Sequence, residues 1–352
     1  MPEKAKTLNK TVWFCNPWFD IVFLASFPTF LIIILLLNYP FFRLPYYLFD
    51  FYVIFYLYTL FNFPHILSGV SIVYLDQRER KGQSLKFLWI PLFFLLAMIA
   101  IAILGVRFNF SGKLSMIRHW GGSLHNILQS YYILLLYKLR NNDSLKFDMR
   151  IDSLFLIVCY LDSPLLSLLF QMERRYNIDE IFFRAFIIFW RTLLYVIVIA
   201  FVLRQVYLFI RYKKIHPFKI LLFSAIFIVY QYLFIVTKSL GIAWKGLVEL
   251  HNLQWIAWVW FYHRQKFREG MIKEARFISY LSQPGKTRLY IFLLMLISAM
   301  FNFFVLTLSR LAKIPFNIAG NIIQSPLALF HFFIEIFIWR YSSLRKVILE
   351  AR

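Results

Sequence analysis

Long apolar segments recur along the whole chain, and they constrain its fold more than any other feature of the sequence. A helix needs about 20 mostly apolar residues to cross a bilayer, and segments of that length follow one another with short polar breaks. Of the 352 residues, 61% are hydrophobic and 21% are aromatic, which excludes an ordinary soluble globular protein. We therefore expect an all-α protein, a polytopic transmembrane helical bundle in which residues 1–352 form a single integral membrane domain. About ten spans are predicted, near residues 18–39, 46–75, 87–106, 119–137, 151–172, 184–205, 217–237, 241–263, 289–309 and 318–339.

The charged residues predict the orientation of these spans. The formal net charge is +22, and most of the 39 Lys and Arg fall in segments that are cytoplasmic if the N-terminus is cytoplasmic. This asymmetry follows the positive-inside rule, so both termini are predicted to be cytoplasmic. The basic excess indicates contact with anionic headgroups of membrane lipids. A nucleic-acid partner is not expected, because no RNA- or DNA-binding motif accompanies the charge.

The longest polar stretch runs from His263 to Arg288. Apolar residues recur in it at helical spacing between basic ones, which is typical of a helix that lies in the headgroup layer. A solvated loop is the alternative. Pro284 and Gly285 end the stretch in either case.

Four histidines lie deep in apolar segments and at nearly the same predicted depth in the membrane. Each segment ends in a charged flank, and the histidines precede the first charged residue of that flank by 9 to 13 positions. A helix rises 1.5 Å per residue, so this spread corresponds to about 6 Å of depth. Ionisable side chains inside a bilayer are costly and usually functional. We therefore predict a metal site formed by His65, His125, His251 and His331.

Three of these histidines share a helical face with an amide or carboxylate residue three or four positions further along the chain. Gln129 follows His125, Gln254 follows His251, and Glu335 follows His331. Metal-bound imidazole usually donates its second N–H to such an acceptor, so we expect these residues to orient the ligands. Glu335 could alternatively bind the metal directly.

The ligand set narrows the choice of metal. Imidazole, alone or with one carboxylate, suits iron, zinc or copper. Open coordination positions favour non-haem Fe(II) that activates oxygen, and zinc with a bound water is the competing choice. The alternative to a metal is that each histidine is hydrogen-bonded between helices. No catalytic side chain is predicted.

Other ionisable residues have simpler interpretations. Asp162 and Arg191 lie near the middle of two predicted spans, and a buried ion pair between them is expected. His119, His216 and His263 lie near the predicted membrane boundaries, so we interpret them as wet interfacial residues rather than ligands.

At these motifs the chain resembles the bacterial Brp/Blh-type carotene dioxygenases, which are integral membrane proteins that cleave β-carotene to retinal with iron. It is also similar to a broader group of uncharacterised multi-pass bacterial proteins. Gly69 stands where the dioxygenases carry an aspartate, and Trp255 stands where they carry a second histidine. The shared features are Pro64-His65, His125, His251, and His331 with Glu335 before Ile338-Trp339-Arg340. The segments that begin at Leu124 and His251 are more similar to the uncharacterised group.

Together these features predict an iron-dependent oxygenase, of the dioxygenase kind that the resemblance implies, that acts on a lipid-dissolved apolar small molecule. The protein is expected in the bacterial inner membrane. One alternative is a metal-ion or proton transporter that uses the same intramembrane histidines. Another is a structural or assembly subunit of a membrane complex.

Overall fold

The computed structural model describes residues 13–26, 58–81, 85–107, 111–141, 146–176, 180–212, 215–237, 240–314 and 316–339. Within these ranges the regular structure is entirely helical, which confirms the predicted all-α class. Most of the predicted span 18–39 and the first part of span 46–75 lie outside them. The helices are α1 (Pro17–Phe19), α2 (Phe63–Tyr74), α3 (Gln77–Arg80), α4 (Ile90–Arg107), α5 (Ser111–Arg140), α6 (Lys146–Tyr176), α7 (Glu180–Tyr212), α8 (Pro217–Thr237), α9 (Leu240–Lys266), α10 (Arg276–Leu281), α11 (Thr287–Leu311) and α12 (Phe316–Trp339).

Four described helices are long and apolar enough to cross a membrane, where the sequence predicts about ten spans. Polar residues interrupt the apolar sequences of α5 and α9, and these two helices contain the predicted spans 119–137 and 241–263. Other apolar stretches are shorter than a span in the described residues, namely Leu60–Tyr74, Leu85–Ile101 and Ile323–Ile336. The four long segments are Asp148–Met172, Glu180–Tyr212, Pro217–Ile235 and Thr287–Leu311.

The chain divides into two compact units. The first unit comprises Met1–Phe30 and Ser123–Val248, and the second comprises Leu31–Gly122 and Glu249–Arg352. The boundaries fall within α5 and α9, so each of these helices contributes to both units. The single domain predicted from the sequence stays a prediction.

In the first unit, α6 packs against α7 and α8, and a buried ion pair links two of these helices. Asp162 on α6 is fully buried, and its carboxylate lies 3.0 Å from the guanidinium of Arg191 on α7. The indole N–H of Trp190 donates a hydrogen bond to the other carboxylate oxygen of Asp162, at 2.7 Å. The predicted pairing of these two charges is confirmed, and it offsets the cost of placing them within apolar helices.

In the second unit, α12 packs against α2, α4 and α11. This arrangement places the helix that carries His331 beside the helix that carries His65. Helix α9 continues the unit from Glu249 onward. The second unit therefore holds three of the four histidines predicted to bind a metal.

The polar stretch after α9 forms a short 3₁₀ turn, Lys273–Ala275, followed by α10. One face of α10 is buried through Ile278 and packs in a cluster that includes Phe267 and Tyr290. A separate α-helix therefore forms over only part of this stretch, at Arg276–Leu281. Its location in the headgroup layer stays a prediction.

Candidate metal centre

Helix α2 places His65 in its first turn. A π-helical turn, Tyr58–Asn62, leads into the helix, and Pro64 occupies one of its first positions. Proline fits there because the N–H that it lacks would have no partner within the helix. His65 is buried, so its imidazole reaches the interior of the second unit rather than solvent.

Helix α12 supplies an imidazole and a carboxylate from one face. His331 and Glu335 are four residues apart, and both are buried. Nε2 of His331 lies 3.0 Å from Oε1 of Glu335 and 2.7 Å from Nε2 of His65. The carboxylate oxygen therefore lies in the same small group of atoms as the two imidazole nitrogens. The position of Glu335 makes it a candidate for direct metal binding, in addition to its predicted role of orienting His331.

Hydrogen bonding alone accounts poorly for this convergence. A single imidazole nitrogen is either a donor or an acceptor, and it points in one direction. Nε2 of His331 faces both a second imidazole nitrogen and a carboxylate oxygen, so one proton on Nε2 serves at most one of these contacts. A cation among the three atoms would satisfy all of them. The ligand atoms of His65, His331 and Glu335 all lie within 4.8 Å of one another.

His251 on α9 lies beside this group. It is buried, and its ring centroid is 5.0 Å from that of His65, with the two rings tilted by 49°. The second unit therefore gathers three imidazoles and one carboxylate from three helices. Imidazole nitrogen and carboxylate oxygen are the ligands that iron and zinc take in proteins, so the residues present fit such a metal ion.

Gln254 gives a second sign that the group is built for a ligand. Its carboxamide is buried on α9 one turn after His251, on the same helical face. Within the described residues neither its nitrogen nor its oxygen has a hydrogen-bond partner. A buried amide without partners is costly, and a water or other ligand of a metal would supply them.

Gly69 allows the close approach of α12 to α2. A β-carbon at this position would lie 2.8 Å from Cε1 of His331 and 3.1 Å from Nε1 of Trp255. A side chain at this position would not fit without moving the imidazole of His331. The contacts that require glycine here join segments that are far apart in sequence.

His125 and Gln129 belong to the first unit. Both are buried on α5, four residues apart and on one helical face. Their burial agrees with the predicted depth of this histidine in an apolar segment. Their assignment as a metal ligand and an orienting residue stays a prediction.

Two histidines that the sequence predicts to be solvent-exposed at the membrane boundary are buried instead. His263 is almost fully buried, and its Nε2 lies 2.9 Å from the hydroxyl of Ser71 on α2. His216, in the first unit, is also buried. The interpretation of these two residues as solvated was wrong, because position along the chain does not show which segments cover a helix end.

A charged cluster lies at the C-terminal end of α9 and just after the C-terminal end of α2, outside the predicted spans. Asp76 is fully buried and accepts hydrogen bonds from Arg78, at 2.8 Å, and from Lys266, at 2.9 Å. Lys266 also pairs with Glu79. Burial raises the pKa of Asp76, but the hydrogen bonds from Arg78 and Lys266 outweigh burial and lower this pKa from 3.8 to about 2. The cluster therefore fastens the charged end of α9 to the segment that follows α2.

No family model, no curated protein and no solved structure matches the chain.

Proposed function

We propose that this protein is a membrane-embedded, non-haem iron-dependent oxygenase that acts on an apolar substrate dissolved in lipid. The observation that carries the proposal is the convergence of His65, His331 and Glu335, whose ligand atoms lie within 4.8 Å of one another in a buried site. Two histidines and one carboxylate with open positions are the ligand set of many non-haem Fe(II) oxygenases. Zinc accepts the same ligands and is the alternative metal.

The residues of the chain have distinct tasks in this proposal. Bound iron would supply the redox chemistry with dioxygen. His65, His331 and Glu335 would hold the metal, with His251 beside them as a further imidazole. Gln254 would donate a hydrogen bond to a group bound at the open side. The buried ring of Trp255 would exclude water on another side.

The proposal includes a multi-pass protein of about ten spans, with both termini cytoplasmic, in a bacterial inner membrane. The four long apolar helices support membrane insertion. Helix α7 supports it further, because large apolar side chains such as Ile188 and Phe189 are exposed along it and lipid would cover them. Substrate would then reach the site from within the bilayer.

Metal analysis of protein purified gently and without chelators tests this proposal directly. We expect close to one iron per chain, and less than about 0.2 metal ions per chain would reject a tight site. Zinc in place of iron, with no iron uptake by the apo-protein, would reject the oxygenase while keeping the metal site. Oxygen consumption with lipid extracts then tests the reaction class.

A metal-ion or proton transporter is the second candidate, and one network favours it. Asn62 and Asn252 donate hydrogen bonds of 3.2 and 3.1 Å to the two carboxylate oxygens of the buried Glu249. This network lies within one turn of His65 and His251 along their helices, so polar groups continue beyond the histidines. Proteoliposome flux that disappears in His251→Ala would favour transport, whereas metal-dependent oxygen consumption without flux would favour the oxygenase.

A further inference from the structure

Three aromatic side chains on α9 form a continuous column in the second unit. Trp255 and Trp258 stack with ring centroids 5.4 Å apart and planes 5° from parallel. Trp258 and Tyr262 stack at 6.1 Å with planes 2° from parallel. Spacings of three and four residues place all three on one face of the helix. All three side chains are fully buried or nearly so, and this excludes water from the column.

The column joins two polar sites. At one end, the ring of Trp255 lies 6.3 Å from that of His65 and 6.5 Å from that of His331. At the other end, the ammonium of Lys266 lies 5.4 Å from the ring centroid of Tyr262. Lys266 belongs to the charged cluster with Asp76 and Glu79. The aromatic rings therefore lead from the candidate metal centre to the charged end of α9.

Tryptophan and tyrosine are the side chains that most readily lose one electron and regain it. Packing in a core accounts for the burial of aromatic rings. It does not require the rings to be parallel, because ring pairs in proteins adopt tilted as well as stacked arrangements. Here two successive pairs are nearly parallel and in contact, and the series begins at the histidines. This continuity suits the passage of single electrons over the length of the column.

We propose that Trp255, Trp258 and Tyr262 carry single electrons between the candidate metal centre and the charged end of α9. The inference rests on the proposed oxygenase function, which places dioxygen, the oxidant, at the centre. Trp255 gives one electron to dioxygen at the centre, which is thereby reduced by one electron. Trp258 then re-reduces Trp255, and Tyr262 re-reduces Trp258 while its phenolic proton passes to a carboxylate of the charged cluster. A thiolate or reduced-flavin donor at the surface loses one electron to Tyr262, which takes its proton back from that carboxylate, so within the protein only the O–H bond of Tyr262 breaks and re-forms.

The column can be tested in protein that holds no metal. Gln77 is exposed and directly follows Asp76 of the charged cluster, so Gln77→Cys provides an attachment point for a ruthenium polypyridyl photo-oxidant. The label is placed in a Cys15→Ser background because Cys15 is exposed, whereas Cys159 is buried. After a flash in the presence of a soluble electron acceptor, transient absorption should show a tyrosyl radical followed by a tryptophanyl radical.

Trp258→Phe keeps an aromatic ring in the column but removes its oxidisable indole. We expect the tryptophanyl signal to be lost in this variant while the tyrosyl signal remains. Trp258→Tyr restores an oxidisable ring at this position, so a tryptophanyl signal should return, now from Trp255 alone. Trp260→Phe is the matched control, since Trp260 lies on the same helix, packs on the cluster around Phe267, and is not part of the column. Equal signals in folded Trp258→Phe and Trp260→Phe would overturn the proposal.

A second readout uses protein loaded with Fe(II). The same flash should produce a ferric signal in electron paramagnetic resonance, and Trp258→Phe should lose it while Trp260→Phe keeps it. If iron does not bind, the proposed function is wrong, but the metal-free measurement still tests electron transfer along the column. If iron binds and both variants give the ferric signal equally, electron transfer along the column is rejected, whereas the metal centre is supported.

Discussion

The imidazole of His331 occupies the space that a side chain at position 69 would take. A β-carbon on Gly69 would lie 2.8 Å from Cε1 and 3.0 Å from Nδ1 of His331. Real β-carbons essentially never make a contact of 2.8 Å, so one of the two groups would have to move. The lack of a side chain at Gly69 therefore allows one candidate ligand to occupy this position, although the two residues belong to different helices.

Gly69→Ala should weaken metal binding, because the added methyl group displaces the ring of His331 from Glu335 and His65. Overpacking costs about 1–3 kcal/mol in a well-packed core, and the better helix propensity of alanine offsets about 1 kcal/mol of it. We therefore expect reduced metal content with only a small fall in thermal stability. The matched control is Gly320→Ala on α12, where the nearest atom to a β-carbon is 3.6 Å away. Full metal content in both variants would show that the position of His331 does not matter for binding.

Glu335→Gln should reduce metal retention without unfolding the protein. Removing the charge of a group that binds or orients a ligand typically costs ~10–100-fold in metal affinity. His331→Ala should abolish binding, because it removes a direct ligand candidate. Metal content and thermal stability of both variants are compared with those of the wild type. If both variants keep a full complement of metal, α12 does not contribute to the site.

The carboxylate of Asp76 should make folding stability depend on pH in the acid range. Its pKa is lowered to about 2 in the folded protein from 3.8, so the unfolded chain binds more protons between these values. Stability from this group is fully present above about pH 4 and is lost as the pH falls through about 2, with a total of about 2 kcal/mol. Thermal unfolding in detergent between pH 6 and pH 2.5 measures it. Asp76→Asn should flatten this dependence, whereas Glu269→Gln, at an exposed position, should leave it unchanged.

Asp162→Asn should strongly destabilise the first unit. It leaves the guanidinium of Arg191 without its carboxylate partner in an apolar setting, a change that typically costs about 3–5 kcal/mol. The control is Glu180→Gln on α7, which breaks an exposed pair with Arg184 and should cost about 0–1 kcal/mol. Thermal or denaturant unfolding compares the two. Equal, small effects would mean that the Asp162 pair contributes no more than a surface pair.

The double variant Asp162→Leu with Arg191→Met distinguishes the net contribution of the ion pair to stability from the cost of leaving one of its charges unpaired. Apolar replacement of a buried ion pair is often neutral. We expect this variant to recover most of the stability lost in Asp162→Asn. A double variant as unstable as the single one would assign the loss to other contacts, such as the hydrogen bond from Trp190.

Several features followed from the sequence alone because they depend on local spacing and on the cost of burial. Apolar composition predicted an entirely helical protein, and this is confirmed in the described residues. The shared face of His331 and Glu335 followed from their spacing of four residues. The pairing of Asp162 with Arg191 followed from the cost of a lone charge in an apolar helix.

Other features were decided only by tertiary structure, because they depend on which distant segments meet. The sequence placed Glu335 beside His331, but only the packing of α12 against α2 brings both to His65. His263 is buried, and its Nε2 contacts the hydroxyl of Ser71 on another helix. Helical periodicity fixes which residues share a face, whereas the partner of that face depends on shape complementarity between helices far apart in sequence. For this reason the sequence indicated the candidate ligands, and the tertiary structure decided which of them converge.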